Sequence, residues 1–114
     1  MAKKPKMKWN RGATLRDFDI EEMSPMDVLS NMPSPCAIPG HTAAMDINVK
    51  DCFSKSSVEY ITNQVKDGFI FDPPMLDFER PFMGYPSHEG RHTSYVALKR
   101  GEKKIPVLVA RARK

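Results

Sequence analysis

Hydrophobic residues recur along this chain in several short patterns, and each pattern predicts an element. From Arg91 the spacing turns helical, with Ser94, Ala97 and Leu98 at i, i+3 and i+4. Gly90 just before it suits a sharp change of chain direction, because glycine takes positive φ without a steric penalty. Lys99 and Arg100 sit in the last turn and Gly101 follows, the expected chemistry of a helix C-terminus. Ile105 to Val109 is apolar on both alternating sets of positions, which predicts a strand covered on both faces. Earlier in the chain, Ser24-Pro25 reads as an N-cap followed by proline in the first helical turn. Met26, Leu29 and Met32 then form the apolar face, and Pro33 and Pro35 end it. Ser56-Ser57-Val58-Glu59 has the spacing of a capping box; Val58, Ile61 and Val65 continue the apolar stripe, and Gly68 closes the helix. Met75 to Glu79 predicts a strand with Leu76 and Phe78 on one face.

The intervening segments read as connections. Cys36 to Asp46 is loop-like around the Pro39-Gly40 turn, and Asp46 to Val49 reads as a short extended piece. Arg80 to Ser87 holds two prolines and a glycine and reads as loop with a short strand at Phe82-Met83. Pro86 to Gly90 reads as a tight loop leading into the third helix. The order helix, helix, strand, loop, helix, strand predicts a small single-domain α+β (mixed) fold, a short sheet flanked by helices. Its expected limits are 21–110, after a basic arm at 1–20 and before a basic tail at 111–114.

Charge changes this picture. The net charge of +4 conceals three blocks. Residues 1–16 carry six basic and no acidic groups, residues 17–79 three basic and twelve acidic, and residues 80–114 nine basic and two acidic. Basic ends flanking an acidic middle point to a polyanionic partner, or to ends that satisfy the middle within the fold. In the arm, Lys3, Lys4, Lys6, Lys8 and Arg11 surround Trp9, a composition suited to phosphate contact with base stacking, or to a solubilising tail with one anchor. No apolar run approaches membrane-spanning length, and the N-terminus lacks the apolar segment of a secretory signal. A cytoplasmic protein is expected, and with it Cys36 and Cys52 as reduced packing residues rather than a disulfide.

The chemistry concentrates at His88-Glu89-Gly90-Arg91-His92-Thr93. Backbone N–H groups at the start of the following helix favour an anion there. Arg91 supplies a planar charged donor, and His92 a group that titrates near neutrality. Glu89 supplies an acceptor for a proton or for Mg²⁺. Tyr95 and His88 are candidates for stacking or for a pocket wall. The segment His88 to His92 is also formally H-E-x-x-H, but zinc hydrolysis needs both histidines on one continuous helix. Gly90 within the motif and Pro86 before it argue against that helix, so no metal site is assigned, while ligation of a divalent metal by the loop through His88, Glu89 or His92 stays open.

Ser24-Pro25, Gly68, Pro73-Pro74-Met75-Leu76, Glu89-Gly90-Arg91-His92 and Gly101 with Ile105-Pro106-Val107 occur in an order that resembles the ParB/sulfiredoxin-like superfamily, especially its small phage-encoded members. The resemblance spans Ser24 to Val109. It implies a ParB/sulfiredoxin-like fold and a nucleotide or nucleic-acid phosphate held by Gly90, Arg91, His92 and Thr93. It further implies Mg²⁺ with the nucleotide and, if there is catalysis, phosphoryl transfer or phosphodiester hydrolysis with Glu89 and His92 as acid and base. A phage origin would place the protein in the cytoplasm of an infected bacterium. Two departures stand out: Thr93 occupies the position of the motif's final arginine, and Arg91 that of the sulfiredoxin nucleophilic cysteine, which excludes sulfiredoxin chemistry. The rival class is a non-catalytic interaction protein whose basic ends bind DNA, RNA or a host protein, or which belongs to the virion, with the Glu89-to-Thr93 loop only a scaffold.

Overall fold

The computed structural model describes residues 18–66 and 73–111. They form a mixed α+β domain in which a four-stranded sheet is flanked by three α-helices. In chain order these are β1 (Asp19–Met23), α1 (Pro25–Ser30), α2 (Lys55–Lys66), β2 (Met75–Phe82), β3 (Tyr85–Glu89), α3 (Arg91–Lys99) and β4 (Ile105–Ala110), with a 3₁₀ turn at Ala43–Asp46. The sheet order is β1-β4-β2-β3. Strand β4 is central, antiparallel to β1 with Glu21 opposite Val107, and parallel to β2 with Leu76 opposite Val109.

The fully apolar sequence of β4 is explained by that position. Ile105, Val107 and Val109 face the main core, and Leu108 and Ala110 on the opposite face are buried as well. Leu76 and Phe78 of β2 join the same core, as their alternation predicts. Helix α1 opens as expected: Ser24 Oγ accepts the Asp27 N–H at 3.1 Å, and Pro25 occupies the first turn. Its buried face, however, is Pro25, Val28 and Leu29; Met26 is 40% exposed, and Met32 is buried but lies past the helix end at Ser30. Helix α3 ends at Lys99 with Arg100 as its C-cap, and Gly101 (φ 78°) donates to the Leu98 carbonyl, the expected stop.

Several expectations require correction. Asp17 to Met23 predicted no element, yet Asp19–Met23 is β1, so the arm ends before residue 19 rather than at 20. Arg111, the first residue of the expected basic tail, donates to both Glu21 carboxylate oxygens at 2.9 and 3.2 Å and stacks over Phe78, so here a basic end does satisfy the acidic middle. Pro86 to Glu89 is not a tight loop but most of β3. A turn at Met83-Gly84, both with positive φ, returns the chain along β2. Asp46 to Val49 is not extended; Asp46 ends the 3₁₀ turn and irregular turns follow. Helix α2 begins at Lys55, one residue before the predicted box. The Val58 N–H bonds the Ser54 carbonyl and the Ser57 N–H bonds Ser54 Oγ, so Ser54 is the cap. Gly68 lies outside the described residues.

The expectation of reduced cysteines is also overturned. Cys36 and Cys52 form a disulfide, with Cα atoms 5.2 Å apart. The chain between them folds around Asp46, which returns Cys52 to Cys36. Closing a loop of this size (sequence separation 16) restricts the unfolded chain by about 3 kcal/mol. Protein purified without reductant and unfolded in guanidinium is expected to show no titratable thiol. Two thiols per chain would contradict the pairing.

Candidate functional site

The chain leaves β3 at Glu89 and enters α3 at Arg91 through Gly90, whose φ of 92° lies in the left-handed region. A Cβ on Gly90 would lie 2.7 Å from Pro74 Cα and 3.1 Å from Pro74 Cβ. Both space and conformation therefore require glycine here. Close approach to buried Pro74 brings the start of α3 against the start of β2. The N-terminus of α3 carries no side-chain cap and no acidic residue in its first turn, so its backbone N–H groups and positive dipole end face the space before it. Ser94 is fully buried and spends its hydroxyl on the Gly90 carbonyl at 3.0 Å.

This helix start opens on a cleft of about 570 Å³. One wall is His88 to Thr93. The other is the face of α2 formed by Ser56, Ser57, Tyr60, Ile61 and Gln64. Every predicted residue of the loop, Glu89, Gly90, Arg91, His92 and Thr93, lines it. The α2 wall is not signalled in the sequence, because its residues lie about 30 positions away and carry no motif. The serines read only as helix caps.

Arg91 is half-buried. Its Nε is wholly shielded from solvent and has no hydrogen-bond partner, and desolvation pushes its pKa down. An unpaired buried donor on a charged group is costly, and an anion in the cleft would satisfy it. His92 is used differently from expectation. Its Nε2 accepts the Ser54 N–H at 3.1 Å, and its ring meets Phe53 edge-on at 5.9 Å. That bond puts the neutral ring's proton on Nδ1. Burial, followed by the Arg91 charge, pushes the His92 pKa down. Its Nε2 lone pair is thus committed to joining the first turns of α2 and α3. Thr93 is buried apart from a small part of its surface.

Other candidates separate from the cleft. Tyr95 stacks on Phe53 at 4.2 Å and lies beneath Lys99. His88 stays in the wall, its Nδ1 donating to the Pro86 carbonyl at 3.1 Å. Asp77 of β2, paired opposite Ser87, accepts from the Arg80 guanidinium and the Glu79 N–H and stabilises the register shift between Asp77 and Pro81. Lys3, Lys4, Lys6, Lys8, Trp9 and Arg11 lie outside the described residues.

The zinc-hydrolase reading fails on geometry, because His88 and Glu89 belong to β3 and His92 to α3. Among the described residues no group of three or more histidines, cysteines or acids converges to hold a metal. A cluster not anticipated from sequence is Ser34, His41 and Asp46. Fully buried Asp46 accepts from Ser34 Oγ and from His41 Nδ1, the latter at 2.7 Å, and those bonds hold its pKa down. Ser34 Oγ also accepts the Cys36 and Ile38 N–H groups. With the carboxylate between serine and histidine, no imidazole can activate the hydroxyl, so the cluster organises its loop.

Comparisons with protein-family models, curated proteins and solved structures give no match for this chain.

Gly90→Ala is expected to lose at least ~2 kcal/mol of stability in urea unfolding, whereas Gly84→Ala, at φ 85° with nothing within 4 Å, loses only ~1. Equal losses would remove the close approach as the reason for Gly90. The lowered His92 pKa fixes a second sign. Below about pH 6.5 the unfolded histidine takes up a proton before the folded one, so folding weakens as pH falls through the folded pKa. Wild type should therefore lose stability relative to His92→Gln between pH 7.5 and 5. A constant difference across that range would contradict the assignment.

Proposed function

We propose that this protein is a small phosphate-binding domain of the ParB/sulfiredoxin-like type, holding a phosphate group of a nucleotide or nucleic acid in the cleft at Gly90 to Thr93. The observation that carries the reading is the buried, unpartnered Nε of Arg91 beside the uncapped N-terminus of α3. The helix supplies backbone donors, Arg91 supplies charge, and the hydroxyls of Thr93, Ser56 and Ser57 on the cleft walls supply neutral donors. Thr93 in place of an arginine makes the site less cationic than the motif it resembles. Glu89 at the rim is suited to a hydrated Mg²⁺ accompanying a di- or triphosphate. We assign binding rather than turnover, since His92 Nε2 is already engaged by Ser54 and the strand acid Asp77 by Arg80.

The rival reading places binding in the basic ends. It is weakened at the C-terminal side, where Arg111 is paired with Glu21. Thermal unfolding against nucleoside mono-, di- and triphosphates, with and without Mg²⁺, separates the two. A ligand at a hundred times its Kd adds about 2.7 kcal/mol, on the order of 10 °C for a domain of this size. The shift is expected in wild type and in a variant lacking residues 1–16, and is expected to vanish in Arg91→Ala. A shift that survives Arg91→Ala but is lost on deleting 1–16, and that falls steeply with salt, would favour the basic arm.

A further inference from the structure

A cleft of about 570 Å³ is far larger than a phosphate group needs, and the space beyond Arg91 is organised. The bond from Ser54 N–H to His92 Nε2 fixes the first turn of α2 against the first turn of α3. From there Ser56, Tyr60 and Gln64 follow at i, i+4 and i+8 along one cleft-facing row, a span of about 12 Å at 1.5 Å per residue. The serines stand at the end of the row next to the proposed phosphate site, and Tyr60 and Gln64 progressively farther from it. Tyr60 is 65% exposed, unlike Tyr95, whose ring is consumed by Phe53. Gln64 Nε2 donates to the Tyr60 hydroxyl at 3.0 Å, which restrains the aromatic side chain. That bond leaves the Gln64 carbonyl and a second N–H for a ligand. An exposed, restrained aromatic ring followed by an amide suits a planar heterocycle with hydrogen-bonding edges.

We propose that the α2 wall is a nucleobase subsite in which Tyr60 stacks on the base and Gln64 bonds its edge, so that the cleft takes a mononucleotide rather than a bare phosphate or a sugar phosphate. The inference rests on the phosphate reading above and adds the specificity-determining residues to it.

Calorimetric titration of the full chain with adenosine, guanosine, cytidine and uridine 5′-monophosphates, and with ribose 5-phosphate, tests it. The best nucleotide is expected to bind wild type at least ~10-fold more tightly than ribose 5-phosphate does. Tyr60→Ala should remove that advantage and Tyr60→Phe should retain most of it, in line with the worth of one stacked base. Ribose 5-phosphate should bind all three proteins alike. Gln64→Ala should reduce the differences among the four bases. Because Tyr60 and Gln64 contribute nothing to the main core, unchanged unfolding midpoints verify that the variants fold. Nucleotides binding no better than ribose 5-phosphate, with Tyr60→Ala indistinguishable from wild type, would overturn the base subsite and leave the phosphate site standing. Binding of none of these ligands to wild type would overturn both.

Discussion

The contact between Gly90 and Pro74 is the constraint on which the arrangement depends. Pro74 immediately precedes β2, is fully buried, and accepts the Leu108 N–H of β4 through its carbonyl at 2.8 Å. Gly90 packs on the same residue at a distance no side chain would permit. One proline thus fixes β2 against β4 and the β3–α3 junction against both. Without the left-handed conformation at Gly90, β3 could not turn directly into α3, and Arg91 would not face α2. The cleft is a consequence of that junction.

The anchor also separates two uses of charge. Where an acid and a base meet at the edge of the sheet, as in Glu21 with Arg111, the pair is partly exposed, and such contacts contribute little stability. Arg91 is the opposite case: a buried guanidinium donor that folding has desolvated without providing a partner for Nε. Natural folds seldom leave such a group unless something else completes it. His92 was the more attractive functional residue by type, yet it serves to hold α2 and α3 together, and its lowered pKa reflects that burial.

How far the chain could be read from sequence follows from how local each signal is. Helix α3, the glycine at its start, the stop at Gly101, the N-cap of α1 and the two-sided apolar strand β4 all announce themselves within a few residues, and the structure contains each. Strands β1 and β3 do not. Asp-Ile-Glu-Glu-Met is an acidic segment whose pairing partner lies more than 80 residues away, and Tyr-Pro-Ser-His-Glu has neither alternation nor β-branched residues. Both are edge strands, defined by the neighbour they pair with. The disulfide was equally hidden, since proximity of Cys36 and Cys52 depends on the Asp46-centred loop between them. Half of the cleft was legible, the half carrying the motif. The α2 wall could not be, because only tertiary packing brings Tyr60 and Gln64 opposite Arg91.

The most direct measurement is a two-dimensional ¹H–¹⁵N spectrum of the protein titrated with ribose 5-phosphate, following the Arg91 Nε–H signal together with the backbone amides of residues 91–93. The Nε proton reports the one buried side-chain donor without a partner among the described residues, so it distinguishes an occupied cleft from charge attraction at the chain ends. Occupation predicts a saturable downfield shift of the Arg91 Nε–H with matching changes at His92 and Thr93. An unmoved Arg91 signal, with changes only in the basic arm, would contradict the account.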